Sequence, residues 1–195
     1  LSPRPISKAF VDACVANGLD ANNDFNGTKQ DGAGLYQVTH FHGEKQGQRC
    51  SAAASYIHPF EDRANLTIIT GARVSRIITE DKKATGVAYL KHGEEYTLNA
   101  SSEVLLCAGA FGSPHILMLS GIGPKEHLQQ HGIEVIHDSP NVGENLQDHL
   151  DVVFDYRVNT TDVIGIGFGT VGLMMSGLTK WRKDGTGILS TNYAE

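Results

Sequence analysis

Three cysteines in 195 residues, far apart at Cys14, Cys50 and Cys107, provide no disulfide framework. The odd count and wide spacing point to a reducing compartment. Cys107 lies in an apolar run and is expected to be a buried, inert thiol. A basic patch is also missing. Sixteen Lys and Arg stand against 22 Asp and Glu, for a net charge of -6, and the cations are scattered without interleaved aromatics. That excludes nucleic acid as an expected partner. A membrane span is lacking too. Val163–Leu178 carries no charge, but it has only 16 residues and five are Gly. Spanning helices need about 20 mostly apolar residues, and Gly disfavours a helix in water. The stretch therefore reads as a buried or interfacial Gly-rich segment. No Gly-x-Ser-x-Gly elbow occurs, and Ser113 is followed by Pro, which signals a helix start rather than a hydrolase nucleophile. The chain opens Leu-Ser-Pro-Arg-Pro, without an initiator Met or signal peptide, and closes at Glu195. It is expected to be an internal piece of a longer protein, located in the cytoplasm, with membrane association of the parent left open.

What is present is ordinary globular composition, 40% hydrophobic and 19% charged. The length allows one domain with a core or two small ones. Pro3–Asn17 predicts a helix with Ile6, Phe10, Ala13 and Cys14 on one face and Gly18 as its stop. Leu19–Gly34 is a polar loop. Leu35–His42 alternates and predicts a strand. Arg49–His58 predicts a short helix of small residues ending before Pro59. Strands are predicted at Leu66–Thr70, Arg73–Thr79, Thr85–Lys91 and Glu95–Asn99. Asp81-Lys82-Lys83 and His92-Gly93-Glu94 serve as turns of an antiparallel meander. Val104–Leu106 is expected to be a short central strand. A helix capped by Ser113, buried nearly all round, should follow and end at Gly121 and Gly123. A short helix over Pro124–His131, a strand over Ile133–Ile136, a loop over Asn141–His149 and a strand over Leu150–Val158 complete a mixed α/β (α+β) fold.

The stretch Val104–Pro124, VLLCAGAFGSPHILMLSGIGP, passes from strand to helix through residues with almost no side chain. Small residues at a strand's carboxyl end let a ligand approach the main chain, and a helix N-terminus favours phosphate or an electron-rich ring. A tight structural turn without a ligand fits the same spacing. His40 and His42 share a strand face, and His127 and His131 are i, i+4 on a helix. Both spacings suit a metal, but neither has Asp, Glu or Cys in a known ligand pattern, so no metal site is expected.

Ala108-Gly-Ala-Phe-Gly-Ser-Pro114 followed by Leu119-Ser-Gly-Ile-Gly-Pro124 resembles the second signature of the glucose–methanol–choline (GMC) flavin oxidoreductases. Asn65-Leu-Thr-Ile-Ile-Thr-Gly-Ala-Arg-Val74, Asn141-Val-Gly-Glu-Asn-Leu-Gln-Asp-His149, Asp24-Phe-Asn-Gly27, Gln48-Arg-Cys-Ser-Ala52 and Gly185-Thr-Gly187 resemble other family segments, in family order. The choline and alcohol dehydrogenase branch is the nearest in appearance. The resemblance implies part of a GMC-type FAD-binding domain with a β-meander, plus part of a substrate-binding domain. It divides the chain into a substrate-side region (1–60), an FAD-domain portion (61–150) and the start of the substrate sheet (151–195). It implies FAD as cofactor, with the main chain of Val74 beside the adenine and Ala108 and Gly109 beside the adenosine. Asn145, Asp148 and His149 are either flavin-facing or a structured turn. The family's Gly-x-Gly-x-x-Gly pyrophosphate loop is not found after a strand here. Gly165-Ile-Gly-Phe-Gly169 echoes it only superficially, with no helix start expected after it. The catalytic His and its His or Asn companion would come from beyond Glu195, so no catalytic residue is assigned within the chain. The implied activity of the parent is oxidation of a primary alcohol, choline-like or otherwise, to an aldehyde. Its partners would be that small alcohol and the remaining segments of the parent chain. A non-catalytic binding protein on the same scaffold, and a flavin-dependent hydroxynitrile lyase, are the alternatives.

Overall fold

The computed structural model describes residues 4–153 and 168–190, with three antiparallel strands, a two-stranded parallel pair and five helices among them. These residues form two compact units. One is built from the segments before Thr67 and after Val153, the other is Thr67–Val153.

In the first unit, helix α1 is Pro5–Ala16, with Pro at its first position and Gly18 just past its end at φ +96°. The expected apolar face is not the covered one. Phe10 is 56% exposed, and Ser7, Val11 and Cys14 are the half-buried positions. The polar loop that follows is pinned by buried Asn22. Its amide donates to the carbonyls of Lys29 (2.8 Å) and Asp31 (3.3 Å), and its Oδ1 accepts from the Asp24 N–H (2.9 Å). Three side-chain bonds within one loop replace regular structure there. Leu35–His42 is extended but forms no strand; only His40 bridges, to Arg49. Helix α2, Ala52–Tyr56, is capped by Ser51, whose hydroxyl accepts from the Ala54 N–H at 3.2 Å.

From Phe168 onward the Gly-rich stretch is helical. Phe168–Asp184 is a 17-residue helix, α5, so a helix start does follow the 165–169 echo. The residues before Phe168 lie outside those described, as does the end of the predicted strand 150–158; its first residues, 150–153, make no ladder. Packing overrides propensity in α5. A Cβ on Gly177 would stand 2.3 Å from Ile188 Cγ2, so the bare position lets the 188–190 turn close on the helix. At the other end the Trp181 indole N–H donates to the Gly47 carbonyl (3.1 Å). There Gly47 and Gly185, both at positive φ, cross so closely that a Cβ on either would sit 2.1 Å from a main-chain oxygen. No described helix is long and apolar enough to cross a membrane.

The second unit opens with the meander: β1 (Arg73–Glu80), β2 (Lys83–Lys91) and β3 (Glu94–Asn99), in that spatial order. Both hairpins have two-residue loops, because Glu80 pairs with Lys83 and Lys91 with Glu94. Asp81, Lys82, His92 and Gly93 all have positive φ, which matches the primed turns that suit twisted strands. Ala88 is fully buried and Ile77 nearly so. A Cβ on Gly86 would meet Leu98 O at 2.3 Å, so glycine permits the close β2–β3 approach. Leu66–Thr70 and Val104–Leu106 are not strands, and the C-terminal strand is only His137–Asp138 (β5) instead of Ile133–Ile136. A strand needs a neighbour to take up its N–H and C=O groups, and among the described residues Leu66–Thr70 and Val104–Leu106 lie in no ladder.

Two outcomes test the meander. Lys82 carries a side chain in the left-handed region, so Lys82→Gly is expected to stabilise the protein by roughly 0.5–1 kcal/mol in chemical denaturation; no gain would contradict the turn assignment. Arg76 donates to the Glu95 carboxylate at 2.6 Å and holds that carboxyl below its usual 4.5, with Ser75 a weaker donor. A lowered folded-state pKa contributes at neutral pH and is lost as pH falls through that lowered value. Glu95→Gln should therefore remove part of the acid-side slope of stability, and an unchanged acid limb would contradict the pairing.

Candidate functional site

Helix α3 runs from Gly109 to Leu119 and packs on β1. Its residues are apolar nearly all round, as expected, but it is not buried: Phe111 is 75% exposed and Leu105, just before the turn, 76%. Cys107 is likewise exposed, a correction to the buried thiol expected there. The helix begins earlier than expected. Ala108 flanks it, Gly109 is its first residue, and Pro114 lies inside it. Ser113 is therefore not the flanking cap. It reaches back from inside the first turns, its hydroxyl accepting from the Ala108 N–H at 3.1 Å. The N–H groups of the next residues have no partner within the helix and carry the positive end of its dipole.

The main chain at the turn is bare. Gly109 has φ +83°, which glycine adopts without penalty, and a Cβ there would have nothing within 4 Å. Backbone conformation, not crowding, requires the glycine, and the side toward which a Cβ would point is open. Val74 lies half-buried near the start of β1, paired with Tyr89, and the ladder shifts between Val74 and Arg76. Such a bulge re-aims the local main chain. Val74, Ala108 and Gly109 thus sit on two elements, β1 and α3, packed in one unit.

At its far end α3 is tied down by the Leu-Ser-Gly-Ile-Gly-Pro run. Ser120 is 5% exposed; its hydroxyl accepts from the Ile77 N–H of β1 (2.8 Å) and donates to the Ile116 carbonyl (2.5 Å). Gly121 precedes strand β4 (Ile122–Gly123), which pairs in parallel with β5. A Cβ on Gly121 would stand 2.4 Å from Glu134 O, and one on Gly123 would stand 2.9 Å from Met118 Cγ. Helix α4, Lys125–Gln130, follows; its Leu128 is fully buried, its first N–H is accepted by Asp138 (3.0 Å), and Gly132 stops it at φ +68°. The sequence reading missed the Ser120 tie. A serine between an apolar helix and a glycine is its only signal.

The other candidates hold less. His127 and His131 make an edge-on ring contact at 4.8 Å, and His40 and His42 line a pocket of about 340 Å³ with Gln37, Phe41 and Thr186. No three metal-ligating side chains converge among the described residues. In the Asn141–His149 segment, Asn145 is at φ +56°, the Asp148 carboxylate accepts from the His149 N–H (2.8 Å), and all three residues are exposed.

Against known proteins, residues 1–151 match the family model described as GMC oxidoreductase. The chain is 42% identical over 193 residues to an alcohol dehydrogenase [acceptor] of Pseudomonas putida, covering 98% of this chain and 34% of that protein. It is 39% identical over 193 residues to an oxygen-dependent choline dehydrogenase of Photobacterium profundum, covering 98% and 33%. Among solved structures, an FAD-dependent oxidoreductase from Chaetomium thermophilum superposes with TM-score 0.73 at 27% identity, over 95% of this chain and 32% of that one. A pyridoxine 4-oxidase from Mesorbium loti gives TM-score 0.59 at 30% identity, over 70% and 26%. The fold is therefore that of a portion of a GMC oxidoreductase. The chain belongs to the GMC oxidoreductase family. It spans about a third of the length of the curated relatives it matches.

The glycines at the two ends of α3 predict different costs. Gly109→Ala meets only backbone strain, about 1–2 kcal/mol. Gly121→Ala adds a clash with Glu134 O and should cost at least about 1 kcal/mol more in equilibrium unfolding. Equal losses would contradict the packing around β4.

Proposed function

We propose that this chain is the central part of a GMC alcohol dehydrogenase that oxidises a primary alcohol, choline-like or aliphatic or aromatic, to the aldehyde. Two kinds of support carry the reading. Relatives named for alcohol and choline oxidation match nearly the whole chain, and the open main-chain turn at Ala108–Gly109 lies on the helix that packs on the strand of Val74.

FAD supplies the hydride acceptor of such a reaction when bound. The residues present fit its adenosine half. A side chain at residue 109 would project into the open space beside the turn, so glycine leaves that main-chain surface accessible to a flat ring. In this reading Ala108 and Gly109 flank the adenosine, and Val74 offers main-chain atoms to the purine edge. The first N–H groups of α3 favour an electron-rich group beside them. The Ser113 hydroxyl already serves Ala108 and shapes the turn rather than holding the ligand. The base that takes the hydroxyl proton, and its partner, lie outside this chain. The segments around residues 1–60 and 151–195 contribute to the substrate side.

The test is spectroscopic. The whole purified protein should show flavin absorbance that an added primary alcohol bleaches without oxygen, while the 195-residue chain mixed with FAD should show no alcohol turnover. A protein that carries no flavin, or a flavin no primary alcohol reduces, would overturn the reading.

A further inference from the structure

We infer that Ser120 is a positioning residue for the adenosine half of the cofactor, acting through the helix it terminates. The inference rests on the reading above, in which the adenosine lies against Ala108 and Gly109 with Val74 at the purine. Ser120 touches none of these. It is buried, its hydroxyl proton goes to the Ile116 carbonyl, and its oxygen accepts the Ile77 N–H. β1 is an outer strand of the meander, so an N–H that does not serve β2 needs another acceptor, and that of Ile77 is buried.

The geometry makes this a lever. From Ser120 back to Gly109, α3 extends about 17 Å at 1.5 Å per residue. From Ile77 back to Val74, β1 extends about 10 Å. Helix and strand are stiff over such lengths, so the Ser120–Ile77 contact sets the gap between the two stretches of main chain proposed to flank the ring. On its other side the helix end is fixed by Gly121 against Glu134 and by Gly123 against Met118. Removing the hydroxyl leaves the Ile77 N–H buried without its acceptor, and the structure relieves that by moving helix against strand or by admitting water. Either change reaches the adenosine site without altering any residue that contacts the ligand.

A role in stability alone would not do this, and the experiment separates the two. Flavin-free whole protein is titrated with FAD and with ADP, which carries the adenosine and pyrophosphate but no flavin ring, well below the melting temperature. Four proteins are compared: wild type, Ser120→Ala, Ser120→Thr, and Leu128→Ala, a buried change in the same unit that serves as the stability control. Ser120→Ala is expected to weaken both ligands about tenfold, the scale of one lost buried hydrogen bond. Ser120→Thr, which keeps the hydroxyl, should retain most of the affinity, and Leu128→Ala should bind as wild type does despite a lower melting temperature. Unchanged binding by Ser120→Ala, or equal weakening in Leu128→Ala, overturns the inference and leaves the functional reading standing. A wild-type protein that takes up neither FAD nor ADP overturns both. If Ser120→Ala does not fold, Ser120→Cys, a milder loss of acceptor strength, is read by the same comparison.

Discussion

The N–H of Ile77 and the hydroxyl of Ser120 meet 2.8 Å apart inside the Thr67–Val153 unit, 43 residues apart in sequence. Much of that unit follows from the contact. It places the end of α3 against the middle of β1. From there the chain must turn at once, and Gly121 at positive φ allows it to do so in contact with the Glu134 carbonyl. The turn delivers β4 beside β5, and α4 seats Leu128 beneath them with its first N–H on Asp138. At the opposite end of the helix the same contact determines where the Ala108–Gly109 turn stands relative to the strand of Val74. A buried polar bond of this kind adds modest net stability, but an unmatched donor in its place is costly, and this asymmetry makes the arrangement specific.

The parts of the fold legible in the sequence are those set by local chemistry. The meander could be read because its strands alternate and its turns carry Asp81-Lys82 and His92-Gly93 at adjacent positions. The ends of α1 and α4 could be read from Gly18 and Gly132. The parts that could not be read depend on partners distant in sequence. Leu35–His42, Leu66–Thr70 and Val104–Leu106 have strand composition but no ladder among the described residues. Helix α5 was hidden by its glycines, and only the contact of Gly177 with Ile188 shows why a glycine belongs inside it.

The site divides the same way. A run of small residues before a helix announced that something about the main chain at Ala108 and Gly109 was special, and the positive φ of Gly109 states what. Local sequence could not identify the tie that positions this turn, because Ser120 gains its meaning only from Ile77. The chain covers about a third of its relatives' length, and Leu105 and Phe111 stand exposed beside the turn.

β1 and α3 form one frame through Ser120, and amide hydrogen exchange at Ile77 probes that frame without disturbing it. This amide, on the side of β1 that does not pair with β2, should be protected as strongly as the amides shared between the two strands and should exchange only when the whole unit opens. Exchange at the rate of the exposed strand β3 would show that the helix end is not fastened to the sheet.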